Sequence, residues 1–209
     1  FFENVEQGII LEDDALPSQD LFKFHEELLE KYKNEDKIKA ICGVNFFGES
    51  KIKYDYLFSR IFFSSWGFAT WRRAWGIDEE KIKKALKKKK NISPCLLHNI
   101  ILNKKVRDVF RGKTQGWDYL FSANNMLNKG LVVVPSKNLV KSLGFQGEST
   151  HQTNKIDRNY LEVETKKMDF PLSHPQKVFS DKGFDRKIEF WQILKIIKKR
   201  FWSYFFRIK

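Results

Sequence analysis

Three consecutive acids, Glu12, Asp13 and Asp14, close the short apolar run at 8–11. That run is too brief for a helix and is bounded by a turn, the pattern of a strand buried on both faces. Carboxylates at the C-terminal end of such a strand stand where open α/β sheets bind ligands. Successive side chains point in different directions, so one or two of the three acids can face a ligand or a hard divalent cation. Mg²⁺ or Mn²⁺ takes oxygen ligands, needs few of them from protein, and usually bridges to substrate phosphates. A diphosphate leaving group suits such a site. The alternative is that the acids only stabilise the N-terminus of the following helix through its dipole and free N–H groups.

The elements that would position this turn can be read along the chain. Pro17 and Ser18 offer a helix start, and Leu21, Phe24, Leu28 and Tyr32 are spaced for one face of a helix running to about Lys33. A second strand is predicted at 39–44. An aromatic-rich extended segment follows at 56–65 and leads into a short helix at 66–75. The charged stretch 78–90, with lysines at 87–90, reads as a solvated helix end and loop. Helices are predicted at 96–110 and 117–127, the second closed by Gly130 and followed by a strand at 131–134. This alternation argues an α/β fold. Three or four short strands make a thin parallel sheet whose edges need further units to cover them. On that ground, and because the opening residues 1–7 read as the end of an element, the chain is expected to begin mid-fold, with N-terminal strands missing.

Composition narrows the partners. Thirty-nine Lys plus Arg against 26 Asp plus Glu leave a net charge of +13, which favours anionic partners: nucleic acid, anionic lipid or nucleotide diphosphates. No helix-turn-helix, zinc-finger or RNP-type signature accompanies the charge, so no specific nucleic acid is expected. Cys42 and Cys95 are far apart and form no CxxC pattern, which indicates neither a disulfide framework nor a zinc site and fits a reducing, cytoplasmic compartment. No apolar run approaches the roughly 20 residues that span a bilayer. The tail 187–209 sets seven bases against one acid and interleaves them with Phe190, Ile193, Leu194, Ile197, Phe201 and Phe205 at roughly helical spacing. A basic amphipathic helix rich in Trp and Phe is the pattern of an interfacial anchor on the inner face of the cytoplasmic membrane; a helix docked on the domain is the other reading. The organisation expected is a catalytic part at 1–180 and this helix at 181–209.

The segment GIILEDDALPSQDLFKFHEELLEKY resembles a bacterial family of GT-A-type, nucleotide-diphospho-sugar transferase-like proteins. SSWGFATWRRAW, then GWDYLFSANNMLNKGLVVVPSKNLVKSLGFQGESTHQT, and finally FPLSHP look like that family's further blocks in the same order, and together they cover most of 1–175. In remoter outline the order of blocks is similar to animal β-1,2-N-acetylglucosaminyltransferases, which are inverting and metal-dependent. The departures are Phe68 where the family more often shows Trp, Gly116 before the Trp–Asp pair, and Lys141 in place of a small polar residue.

The resemblance implies a GT-A-like, Rossmann-type mixed sheet flanked by helices. It also implies a nucleotide-sugar donor and a glycan or lipid-linked acceptor of bacterial surface polysaccharide synthesis. It makes the acidic turn a DxD-type motif, with Asp14 the metal ligand and Glu12 or Asp13 nearer the donor's ribose or sugar, and it places Asp118 at the active centre. Inverting transfer needs a base for the acceptor hydroxyl proton, and Asp118 is the candidate; the alternative is a carboxylate that merely stabilises its helix N-terminus. His151 resembles the late histidine that such enzymes place on the metal or diphosphate, and a neutral imidazole is an acceptable Mn²⁺ ligand. Arg72 and Arg73 could supply positive charge to a diphosphate, or pair with surface acids. Trp66, Trp71 and Trp117 are candidates for stacking on the acceptor's sugar faces, with burial in the core as the alternative for the tryptophans of the 66–75 block. His174 belongs to the last block, and no role for it follows from the sequence.

Overall fold

A computed structural model describes residues 1–62, 64–93, 96–143 and 163–205, with side chains for all of these except 97 and 195–205. Strand β1 (Gln7–Ile10) leads through the acidic turn into β2 (Ala15–Pro17) and helix α1 (Gln19–Lys31), then β3 (Ile38–Cys42) and β4 (Tyr56–Ser59). There follow β5 (Phe68–Trp71), a single helical turn α2 (Arg72–Trp75), α3 (Glu79–Lys87), α4 (Leu96–Phe110) and α5 (Trp117–Leu127). The described chain ends with β6 (Leu131–Pro135), β7 (Val140–Ser142) and the long helix α6 (Lys182–Phe205).

The main sheet has five strands in the order β1-β5-β3-β6-β4, and β2 with β7 makes a separate two-stranded ribbon. Only β3 and β6 pair in parallel; β1 with β5, β3 with β5, and β4 with β6 are antiparallel. The sheet is therefore mixed and helix-flanked, wider than the three or four strands read from the sequence. Successive side chains of its central strands alternate between two cores. Ile41 and Val133 face α1 and its Leu21, Phe24 and Leu28. Ala40, Cys42, Val132 and Val134 face the other side, with Phe121 of α5, Ile82 of α3, and Phe184 and Ile188 of α6. Burial on both faces is why β3 and β6 read as near-continuous apolar runs.

The 66–75 block corrects a helix expectation. Its middle, Phe68–Trp71, is a fully buried strand lying between β1 and β3 inside the sheet, and only the four residues after it turn helically. Aromatic and β-branched residues suit a pleated, buried surface better than a helix, and β5 fills the space between β1 and β3. The 78–90 stretch is a helix of its own, capped by Asp78, whose carboxylate accepts from Lys81 N at 2.9 Å, and it buries Ile82 and Ala85. The short pair β2 and β7 carries too few residues for a periodicity and was not legible.

Residues 163–181 return across the α1 face. Asp20 of α1 accepts from Met168 N at 2.9 Å, and Met168 and Leu172 join the α1 core. Ser173 N donates to the Asp55 carboxylate at 2.6 Å. His174 Nδ1 lies 2.9 Å from Tyr56 Oη, which in turn lies 2.5 Å from Tyr32 Oη, while His174 Nε2 is 3.3 Å from Glu27. This chain joins α1, β4 and the return segment, so the role of His174 is to tie three elements together.

Candidate functional site

The pairing fixes a direction for every strand. Because β5 is antiparallel to both β1 and β3, and β3 is parallel to β6, strands β1, β3 and β6 all run the same way. Their C-terminal ends share one edge of the sheet, the edge where ligands bind in open α/β folds. Glu12, Asp13 and Asp14 leave the end of β1 there, and Asn45 leaves the end of β3. Asn45 Nδ2 donates to Pro135 O at 2.9 Å and Ser136 O at 3.1 Å, and Asn138 Oδ1 accepts from Asn45 N at 3.0 Å. Two buried asparagines thus knit the ends of β3 and β6 into a rigid rim.

β5 runs the opposite way, so the residues entering it reach the same rim. Gly67 makes this approach possible. Its φ of +123° is a conformation that L side chains rarely adopt, its carbonyl accepts from Gly43 N at 2.7 Å, and an added Cβ would stand 2.9 Å from Val140. The tight passage brings Ser64, Ser65 and Trp66 beside the acidic turn, where Ser65 Oγ donates to Glu12 Oε1 at 2.6 Å.

Asp118 arrives from another element. It sits in the first turn of α5, after Gly116 at the N-cap, and its charge is felt at Glu12 together with those of Asp14 and Asp13. The Glu12 carboxyl is held above its ordinary value first by burial, against the lowering hydrogen bond from Ser65, with Asp14, Asp118 and Asp13 raising it further. Asp118 is also raised, chiefly by burial, while backbone N–H groups at the helix start and the Lys105 ammonium pull the other way. Ser65, bonded to Glu12, and Asp118 both line one cleft, so residues from the ends of two separate elements face the same part of the rim.

A cleft of about 300 Å³ opens beside them, lined by Asp118, Ser65, Trp66, His98 and Lys105, with Trp191 and Gln192 of α6 across from these. A second, larger hollow of about 620 Å³ lies on the other side of the Glu12–Ser65 pair, lined by Ile10, Leu11, Trp75 and Trp117. Glu12 and Ser65 stand at the second, and Ser65 lines both. His98 is buried, its Nδ1 lies 2.8 Å from Ser93 Oγ, and burial lowers its pKa to about 4, so it is neutral at physiological pH. Sequence reasoning missed Ser65, His98, Lys105, Trp191 and Gln192, which carry no spacing signal and meet only through the packing of the β5 entrance, α4 and α6.

The predicted site residues divide. Glu12, Asp13 and Asp14 follow β1 at the rim; Asp118 and Trp66 line the smaller cleft, Glu12 and Trp117 the larger hollow, and Ser65 borders both. Arg72 and Arg73 do not join them. Ile10 pairs with Phe68 and Gln7 with Trp71, so both arginines emerge at the opposite end of the β1–β5 ladder from Glu12. Arg72 donates to Phe2 O at 2.5 Å and pairs with Glu6 at 2.6 Å. Arg73 donates to Tyr32 O at 2.8 Å, Lys33 O at 2.9 Å and Ile38 O at 3.1 Å, tying the end of α1 to the start of β3. Trp71 is 3% exposed, with its indole N–H on Leu29 O at 3.2 Å, which makes it core rather than an accessible stacking surface.

His151 lies outside the described residues, but the root of its loop is placed. β7 pairs with β2 immediately after the acidic turn, and Leu143 N donates to Asp14 O at 2.7 Å. Among the described residues no group of three His, Cys, Asp or Glu side chains is gathered to hold a metal ion unaided. The acids of the β1 turn do offer hard carboxylate oxygens, the donor type that Mg²⁺ or Mn²⁺ takes when phosphate oxygens complete its shell. Neither a protein-family model nor a curated protein matches the chain.

Proposed function

We propose that the chain is a metal-dependent, inverting glycosyltransferase of GT-A type, moving a sugar from a nucleotide-diphosphate donor to a glycan or lipid-linked acceptor. The observation that carries this reading is that Glu12, held by Ser65 after β1, and Asp118, at the start of α5, border adjoining hollows that share Ser65 at the C-terminal rim of β1, β3 and β6. Acids that only capped α1 would have no need of a serine from the β5 entrance bonded to Glu12 or of a half-open hollow on the rim beside it.

Mn²⁺ or Mg²⁺, when bound, would neutralise the developing charge of the diphosphate, with Asp14 and Asp13 the carboxylates that would hold it. Glu12, fixed by Ser65, would orient the donor's ribose or sugar. Asp118 would accept the proton of the acceptor hydroxyl as that oxygen forms its bond to the anomeric carbon. The bond from that carbon to the diphosphate then breaks, and its electron pair leaves with the nucleoside diphosphate. A carboxylate raised by burial is a stronger base than one in water, which suits this task. Trp66 supplies an aromatic face in the cleft for the acceptor sugar. Arg72 and Arg73 have no part in the diphosphate chemistry in this reading.

Nucleoside diphosphate release, followed with Mn²⁺ across a panel of nucleotide sugars and with a bacterial glycolipid extract as acceptor, tests the reading. Donor-selective release that is lost in Asp14→Ala and in Asp118→Asn is expected. Release unchanged in both variants, or none with any donor, would overturn it.

A further inference from the structure

Helix α6 is both a wall of the cleft and the most basic element of the chain. Its start is locked to the sheet: Asp185, buried, accepts from Ser59 Oγ at 2.7 Å and from Arg60 N and Nε at 3.2 Å each, and Phe184 and Ile188 are buried among the side chains of α5 and β6. Ser59 lies toward the far end of β4, opposite Val132, away from the ligand-binding rim. Seven residues after Asp185 the helix has reached that rim. Trp191 stacks on Phe46, which follows Asn45 at the end of β3, with ring centroids 5.5 Å apart and planes 18° from parallel, and Gln192 lines the cleft of Asp118. Lys187 lies 3.9 Å over the ring of Phe47 and holds the same register. The helix crosses one face of the sheet from its far edge to the rim, and it does not stop there.

It continues unbroken to Phe205. At 1.5 Å per residue, the thirteen residues beyond Gln192 carry it roughly 20 Å farther along the same line, past the mouth of the cleft. Their sequence, ILKIIKKRFWSYF, places Lys195, Lys198, Lys199 and Arg200 among aliphatic and aromatic residues with no acid. No helix of the described residues is long and apolar enough to cross a membrane. A basic, aromatic-rich helix of this composition lies in a bilayer interface, where each Lys or Arg near an anionic surface adds attraction.

We propose that α6 seats the cleft of Asp118 on an anionic lipid bilayer, so that the acceptor is one displayed at that surface, presented by the same helix whose Trp191 and Gln192 wall its binding site. The surface half of this inference stands on α6 alone, and the acceptor half rests on the transferase reading. A docked α6 that served only the core would need its acidic and apolar residues through Trp191 and nothing basic beyond.

Co-sedimentation of the full chain with vesicles of phosphatidylcholine, with and without phosphatidylglycerol, tests the surface half without any nucleotide. Binding is expected only with phosphatidylglycerol and should weaken as salt rises. Charge reversal at Lys195, Lys198, Lys199 and Arg200 together should reduce it roughly a hundredfold while leaving Mn²⁺-dependent donor binding in solution unchanged. Hydrogen exchange on the vesicle-bound protein should slow across 193–205 and stay unchanged in β3 and β6. Equal binding to neutral vesicles, binding that survives the charge reversal, or protection centred on the lysines at 87–90 would overturn the proposal. Vesicle binding without donor binding would leave the α6 surface intact and sink the transferase reading alone. For the acceptor half, Trp191→Ala should lower transfer to a vesicle-borne glycolipid extract about tenfold while donor affinity and vesicle binding hold; transfer that does not change would remove α6 from acceptor recognition.

Discussion

Ser65 Oγ donates to Glu12 Oε1 across 2.6 Å, joining the residue just before the Gly67 turn to the residue just after β1. The bond orients the Glu12 carboxyl and favours its charged form, against the larger opposing effect of burial. Ser65→Ala removes this term and should cost about 1 kcal/mol or somewhat more of the interaction. In a titration of Mn²⁺–nucleotide binding, the variant should bind several-fold more weakly, with the acid limb of its pH profile displaced upward because the lowering influence on Glu12 is gone. A profile that does not move would mean that Glu12 takes no part in binding.

The raised carboxyls of Glu12 and Asp118 work against the fold. A carboxyl whose folded pKa is raised contributes its stability below its unfolded value and loses that contribution as pH rises through the folded value. The ordinary values are 4.5 for Glu12 and 3.8 for Asp118, so the penalty is absent below these and grows as pH rises through the raised folded values. Asp118→Asn should therefore raise the thermal midpoint of the apo chain at neutral pH by a few degrees, with the gain vanishing in acid, while activity is lost. Thermal scans of both proteins across that range would decide; a destabilised Asn variant at neutral pH would contradict the electrostatic account.

Arg73 separates structural from catalytic charge. Its guanidinium bonds two carbonyls at the exit of α1 and that of Ile38 at the start of β3, and lies 4.3 Å over the ring of Trp71. Arg73→Ala removes three hydrogen bonds, although Tyr32 O still accepts from Glu35 N at 3.0 Å, and should cost about 2 kcal/mol of folding stability. Lys cannot reproduce a three-way planar fork and should recover less than half of this. Urea denaturation measures the loss, and donor affinity of the folded variant should match that of the parent chain.

Two buried histidines set the acid limit. Burial lowers His25 to about 3, partly offset by the Cys42 backbone, and His98 to about 4. Both are neutral in the fold and free to protonate when it opens. Their stabilising contribution is present above the unfolded value near 6.5 and is lost as pH falls towards these folded values, by about 3 kcal/mol each between pH 6.5 and 4. His98→Asn, which keeps a polar group for Ser93, should make the loss of stability between those two pH values shallower. An unchanged slope would mean that His98 is protonated within the fold.

Periodicity exposed α1, α4 and α5, because their apolar residues recur at helical spacing, and the doubly buried β3 and β6, because a strand covered on both faces must be apolar throughout. The acidic turn was visible because three carboxylates after an apolar run have few structural uses, and Asp118 was singled out with it. Local pattern could not separate the β5 strand from a helix, since WGFATW carries aromatic residues compatible with either, and its neighbours β1 and β3 decide the matter. Nor could it tell which charges meet. Asp118 and Glu12 are 106 positions apart in the chain and come together because α5 packs beside the rim, whereas Arg72 and Arg73, close to Trp66 in sequence, are carried to the far end of β5 by the extended strand between them. Side-chain type and spacing were enough to mark most helices, the doubly buried strands and the chemically capable residues. Only the tertiary structure decided which of them share a site, because strand direction, the Gly67 turn and the docking of α6 are settled by contacts between residues distant in the chain.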